Sequence, residues 1–333
     1  MRELSERRSQ TADSIEELRA RLTTAETTAS GRACVYMTGS FGRGEASKHS
    51  DLDLFIVGKG NGKTTRDGKP GSDLSRLDEI CIKADLIQAT RELGIQEFSG
   101  DGQWLVHYSV DELIQSLGTQ DDDAQNTFTA RLLLLLESQV LLETSVYDDV
   151  LGEVIAAYWR DYEDHKTNFM PAFLANDILR LWRTFCVNYE ARTERMPELE
   201  KAKGKLKNYK LKHSRLLTCY SAILYLISVH EANGSVHPHD VRNMIALTPT
   251  ARLEWLRQQS HLSDAHEVMD RLLAQYEQFL DATNVAEGEI LERFMDKEAS
   301  KSYMEAAYQF GDLMFDALTF IGKRNRFHRL LVI

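Results

Sequence analysis

The sequence predicts an α+β protein, a small sheet with a few helices near the N-terminus followed by a long all-helical region. Three observations carry this expectation. Short apolar runs that read as strands fall before about residue 110. Turn signals at Ser30-Gly31, Gly39 and Gly100-Asp101-Gly102 separate them. From about Val110 onward nearly every apolar pattern has helical period, and no internal repeat is visible.

In chain order, residues 13–28 are expected to be helical, with Asp13 as cap and Ile15, Leu18 and Leu22 at helical spacing. Ala33 to Met37 reads as a buried strand that Gly39 ends. Residues 41–48 form a short helix or turn, and Leu52 to Val57 a second strand. Gly58 to Ser72, rich in Gly, Lys and Thr and containing Pro70, reads as a loop. A helix from Leu74 to Leu93 follows, with Gly94 as its C-terminal cap. Residues 95–98 and 103–109 read as strands. Helical stretches then run over Thr127–Leu142, Tyr147–Tyr162, Pro171–Glu190, Asn208–His230 and on to Phe320. The expected organisation is an N-terminal helix (1–30) packing on the core, an α/β domain (31–118) and a helical domain (119–333).

Composition narrows the function classes. With 40 Lys and Arg against 51 Asp and Glu, the formal charge is −11, which disfavours broad polyanion binding. Cys34, Cys81, Cys186 and Cys219 are widely spaced, with neither disulfide-framework nor zinc-site spacing, and this fits a reducing cytoplasm. No apolar stretch follows the charged N-terminus, so a signal peptide is not expected. The longest strongly apolar run, Leu132 to Leu136, is too short to span a bilayer.

The chemistry is concentrated in Met37-Thr38-Gly39-Ser40-Phe41-Gly42-Arg43-Gly44-Glu45 and in Asp51-Leu52-Asp53. On a strand, alternate residues share a face, so Asp51 and Asp53 project together while Leu52 and Leu54 enter the core. Two carboxylates held that close are costly without a cation between them. Magnesium suits them, since it takes one or two carboxylates and completes its shell with phosphate and water. Gly39 permits close backbone approach to a phosphate. Ser40 offers a hydroxyl and an amide at the start of a short helix, where negative charge is favoured. Arg43 can pair with phosphate or brace an acid. A lone Asp-x-Asp or Gly-Ser is usually surface or turn, but the joint pattern is hard to explain as solvated surface.

These residues resemble the DNA-polymerase-β-type nucleotidyltransferase superfamily. Within it, Gly39 to Glu45 with Ser50-Asp51-Leu52-Asp53 is most similar to bacterial protein uridylyltransferases and glutamine-synthetase adenylyltransferases. The resemblance is strong over residues 35–57, suggestive to about 140 and weak beyond. It implies a mixed-sheet nucleotidyltransferase domain followed by a helical domain that closes the nucleotide cleft. It also implies magnesium, with manganese as the alternative, and an NTP substrate, ATP or UTP. A third acid is implied, to complete the metal site and act as base. Asp101 is the preferred candidate, because Asp101 to Val110 resembles the family segment in which an Asp precedes a strand ending in His-Ser-Val; Tyr108 interrupts that pattern here. Glu97 is the runner-up, and Asp85 falls within a helix.

In the helical region, Asn176, Arg180 and Arg183 share one helix face. Either arginine can hold phosphate bidentately or serve a structural ion pair. Lys201 to Lys207 reads as solvated. Lys212 and Ser214, at the opening of an apolar helix, fit the superfamily's use of a Lys and a Ser on the triphosphate. Asp121-Asp122-Asp123 reads as acids complementing a helix dipole.

The leading expectation is an enzyme that moves an NMP from an NTP to a hydroxyl, with a protein side chain as the favoured acceptor. An RNA 3′ end or a nucleotide second messenger is the alternative. A catalytically degenerate nucleotide binder and a small-molecule transferase of the antibiotic-modifying type stand behind it.

Overall fold

The computed structural model describes residues 2–65, 67–102, 105–190, 197–323 and 325–331. The chain divides into two compact units, Ser5–Arg160 and Asp161–Ile333 with Met1–Leu4. The elements through the first unit are α1 (Arg2–Arg21), α2 (Thr23–Ala29), β1 (Ala33–Thr38), α3 (Gly39–Gly42), β2 (Asp53–Gly58), β3 (Gly60–Thr64), β4 (Pro70–Ser72), α4 (Arg76–Glu92), β5 (His107–Ser109), α5 (Val110–Gln115), α6 (Asp121–Ala124), α7 (Thr127–Glu137), β6 (Gln139–Leu142) and α8 (Thr144–Tyr158).

The main sheet is mixed, in the order β5-β2-β1-β6. Strands β1 and β2 pair antiparallel from Ala33 opposite Gly58 to Thr38 opposite Asp53. β5 adds to β2 in parallel, and β6 to β1 antiparallel. β1 is buried along its whole length because both faces of the sheet are covered. On one face Val35, Met37, Leu54 and Ile56 join Leu18, Ala25, Ile82 and Leu86 of α1, α2 and α4 in one apolar cluster. On the other, Tyr36 stacks on Phe55 with ring centroids 5.5 Å apart, and Tyr147 and Tyr108 extend the layer.

Several local expectations are corrected. Helix starts at Arg2 rather than near residue 13, so Asp13 lies inside α1. The expected loop Gly58–Ser72 contains the hairpin β3–β4. Asn61 holds that hairpin through its amide to the Ser72 carbonyl. Of residues 95–98 only Gln96 pairs, in an isolated bridge to Asp51. The helix expected to run to Leu142 stops at Glu137, and residues 139–142 form β6. This moves the boundary, since the α/β unit reaches Arg160 rather than 118. An apolar run such as Leu132–Leu136 continued by Val140-Leu141-Leu142 does not by itself reveal where helix yields to strand.

Asp122 is not a surface acid at a helix end. It is fully buried and receives two hydrogen bonds from Arg131, at 2.9 and 2.6 Å. Thr127 and Ser116 donate to the same carboxylate, while Arg131 also reaches the Leu113 carbonyl and the Tyr158 hydroxyl. A buried charge pair is tolerated only when its remaining polar atoms are satisfied in this way.

The second unit comprises α9 (Ala172–Glu190), α10 (Glu198–Lys210), α11 (Leu216–Asn233), α12 (Pro238–Ile245), α13 (Pro249–Arg257), α14 (His266–Ala282), α15 (Glu287–Met295), α16 (Lys297–Gly322) and α17 (Arg326–Arg329). α11 is apolar on all sides and is its buried axis, packed by α9, α13 and α16. α10 and α11 are joined without a break by a π-helical segment, Leu211–Arg215. Lys201–Lys207 is therefore helix, with Ala202 and Leu206 buried. Within the π segment His213 is buried between Phe279 and Phe310, with centroids at 4.6 and 4.9 Å. Burial lowers its pKa to about 4, against a hydrogen bond with the Tyr209 carbonyl that raises it. Among the described residues no helix is long and apolar enough to cross a membrane.

Two outcomes are expected. Asp122→Ala strands a buried guanidinium and lowers the stability of the first unit by about 3–5 kcal/mol in urea titrations, whereas the double replacement Asp122→Leu/Arg131→Met costs less than that single change. Because the folded-state pKa of His213 lies below its unfolded value of about 6.5, the stability that it confers is complete above that value. It is lost as pH falls toward about 4. Thermal melts of His213→Phe should show a shallower loss across that window.

Candidate functional site

The register of β1 on β2 sets the site. Thr38 lies opposite Asp53, so the chain leaves β1 into Gly39-Ser40 directly beside that carboxylate. Gly39 adopts φ +65°, and a Cβ placed on it would lie 2.7 Å from Asp53 Oδ2. Glycine is thus required both by backbone conformation and by space. Leu52 and Leu54 sit in the apolar cluster, which turns Asp51 and Asp53 toward the opposite face. On that face the Thr38 hydroxyl is buried without a hydrogen-bond partner. Ser40 is half-buried and its hydroxyl has no partner among the described residues. One end of the sheet therefore gathers Thr38, Gly39, Ser40, Asp51 and Asp53.

Behind this turn lies a buried charge network. Glu137, at the end of α7, accepts the Gly39 amide at 3.1 Å through one oxygen and Arg43 Nη1 at 3.0 Å through the other. Arg43 Nε donates to Glu45 at 2.9 Å. Arg7 donates to the Glu45 carbonyl, and the Thr11 hydroxyl accepts the Ala46 amide, which fastens α1 to the same turn. Gly42 rests on the Glu137 carbonyl so closely that a Cβ would lie 2.0 Å from it.

Arg43 is buried between two carboxylates, so of its two expected roles the one visible here is pairing with acids. The Gly39 amide is engaged by Glu137, and Gly39 brings the backbone close to Asp53. The helix after it, α3, is only one turn long.

Asp101 is exposed in a 3-10 turn, Ser99–Gly102, with φ +56°. Glu97 is exposed and pairs with Arg91 at 3.2 Å. Asp85, in α4, accepts the Ala25 amide. Among the described residues no three His, Cys, Asp or Glu side chains are grouped so as to hold a metal ion. His107, at the start of β5, is held by Glu79 at 3.4 Å and by Ser72 at 3.0 Å, a clamp between hairpin, strand and α4. His107 and Lys83 lower the Glu79 pKa to about 2, against burial that raises it.

The remaining expected residues belong to the second unit. Arg180 lies 3.7 Å from the buried Asp177, as a helical i, i+3 pair. Arg183 is exposed on α9. Lys212 and Ser214 are inside the π segment rather than at a helix start, so no free helix N-terminus stands behind them. Ser214 is buried and faces the Tyr276 hydroxyl at 3.4 Å, while Lys212 Nζ lies 3.7 Å from the centroid of the Tyr308 ring.

Residues 15–112 match the nucleotidyltransferase domain model. No curated protein and no solved structure gives a significant match. The matched stretch runs from within α1 into α5 and includes every residue gathered around Asp53. It ends before Glu137, which the fold returns to the site through β6. The sequence reading missed Glu137 because it closes a leucine-rich run that points only to burial. It missed Thr38 because a lone Thr at a strand end carries no signal.

Gly42→Ala forces the Ala Cβ against backbone and should cost the domain about 1–3 kcal/mol. Glu137→Gln, which weakens both the Arg43 pair and the hold on Gly39, should cost about 1–3 kcal/mol in the same denaturation assay. A change below a few tenths in both would show that the network does not hold the turn.

Proposed function

We propose that the protein is a magnesium-dependent nucleotidyltransferase that moves an NMP from an NTP, ATP or UTP, to a hydroxyl-bearing acceptor. The observation that carries the reading is Gly39 held against the Asp53 carboxylate, with Ser40, Asp51 and the unpartnered Thr38 hydroxyl at the same end of the sheet. Two carboxylates on one strand face suit the ion, because magnesium needs no more than one or two of them when phosphate supplies further oxygens. Asp51 and Asp53 would hold it, and the bound ion supplies stabilisation of negative charge on the phosphate oxygens.

The chain's own part is positional. The Ser40 hydroxyl donates to a phosphate oxygen of the NTP. Glu137 and Arg43 keep the Gly39-Ser40 turn rigid, so that the triphosphate is presented in one orientation. In the reaction the acceptor oxygen bonds to the α-phosphorus as the bond to the bridging oxygen breaks. Pyrophosphate leaves, and the acceptor proton passes to a base, for which Asp101 is the candidate. Resemblance to protein-modifying enzymes favours a polypeptide acceptor in the cytoplasm.

A second reading, a nucleotide binder without turnover, draws on one observation: the described residues bring no third acid into a group with Asp51 and Asp53. Incubation with each α-labelled NTP, magnesium and cell extract separates the two. Transfer should label an acceptor, and Asp53→Asn should reduce the label about 1,000-fold, whereas Asp101→Asn tests the base separately. Equal labelling by wild type and Asp53→Asn sinks the enzyme reading. Saturable binding of a fluorescent NTP with no labelled product supports the binder.

A further inference from the structure

The second unit carries a cationic, aromatic surface that includes Arg183 and Lys212, for which the sequence suggested a phosphate, together with rings that no triphosphate would use. It is built from three helical segments. α9 supplies Trp182, Arg183 and Phe185, the π segment supplies Lys212 and Arg215, and α16 supplies Tyr308. Tyr308 is 60% exposed, and Lys212 lies 3.7 Å from the centroid of its ring. Arg215 stands 5.3 Å over Phe185, and Trp182 meets Tyr220 edge to face at 6.0 Å. These contacts form one surface. The half-buried Cys186 thiol is raised by burial, while Arg183 and Lys212 both pull it back down, so both cations lie near it. Glu190, at the end of α9, is the acid that acts on the same thiol among the described residues.

A surface of this kind is unexpected on a chain of net charge −11. Cations alone would suit any anion. Cations laid on ring faces suit a ligand that alternates phosphates with flat, apolar rings, since each guanidinium or ammonium can meet a phosphate while neighbouring aromatics take bases. Trp182 and Phe185 sit about 4.5 Å apart along the axis of α9 at the helical rise, and Tyr308 lies on a different helix. The rings are thus spread over more than one base. A duplex hides its base faces, whereas a single strand presents them. An acidic peptide would satisfy the cations and leave the rings unused.

We propose that this face of the helical unit binds single-stranded nucleic acid, with Arg183 and Lys212 on phosphates and Trp182 and Tyr308 stacking on bases. The proposal does not rest on nucleotidyl transfer, and its test needs none. The full-length protein is titrated into a fluorescein-labelled 12-nucleotide U-strand and read by anisotropy across salt concentrations, without NTP or metal. Saturable binding is expected, with log K falling as log salt rises and about 0.7 of slope for each phosphate neutralised. Arg183→Gln/Lys212→Gln should weaken binding at least tenfold and flatten the slope by about 1.4. Tyr308→Ala removes an exposed ring, so the fold survives, and should weaken binding about fivefold or more with the slope unchanged. Circular dichroism of each variant confirms that it is folded. Competition with unlabelled poly-glutamate, a 12-base-pair duplex and ATP completes the test. The proposal is overturned if wild type does not bind, if the variants bind like wild type, or if any of these competitors displaces the strand as well as the unlabelled strand does.

Discussion

The first unit, Ser5–Arg160, depends on one buried carboxylate. Glu137 holds the Gly39 amide with one oxygen and Arg43 with the other, so a single side chain fixes both ends of the Gly39–Arg43 turn. The turn must be fixed because Gly39 is in a left-handed conformation against the Asp53 carboxylate. Without an internal partner, that amide and the Arg43 guanidinium would be buried polar groups with nothing to replace water. Glu45 completes the neutralisation, and Arg7 and Thr11 tie α1 to the same place. The Gly39–Arg43 turn is therefore held by buried charges that pair with one another.

The same constraint explains why the unit extends to Arg160. Glu137 can reach Gly39 only because α7 ends there and the chain turns into β6, which pairs with β1. α7 is itself placed by the Asp122–Arg131 pair, which joins its middle to the short helix before it and to the Leu113 carbonyl. The residues beyond the matched domain, 113–160, are thus part of the same structural argument as the motif. In the second unit the corresponding constraint is apolar. α11 is buried on all sides, and the helices around it enclose a neutral His213 in an aromatic cage.

Sequence reading reached the α+β class and the two central strands, because short apolar runs bounded by glycine turns leave few other conformations. It failed where the decisive signal was a partner distant in the chain. For Arg43 the sequence leaves open a phosphate or an acid as partner; its two acids lie two positions away, at Glu45, and 94 positions away, at Glu137. Asp122 was read as a dipole complement, although its carboxylate is consumed by an arginine nine residues on. Lys212 and Ser214 were placed at a helix start, but the backbone runs through them in π geometry.

What the sequence by itself determined is the local chemistry: two carboxylates in Asp-x-Asp spacing, a glycine that ends the preceding strand, and a serine beside it. These follow from alternation and backbone sterics within about fifteen residues. What only the tertiary structure decided is which charged groups remain for a ligand. That is settled by long-range pairing, which buries Arg43, Glu137 and Asp122 with partners and leaves Arg183 and Tyr308 exposed. A charge in a one-dimensional pattern is available to everything. In the folded chain, desolvation assigns it to a partner or returns it to water.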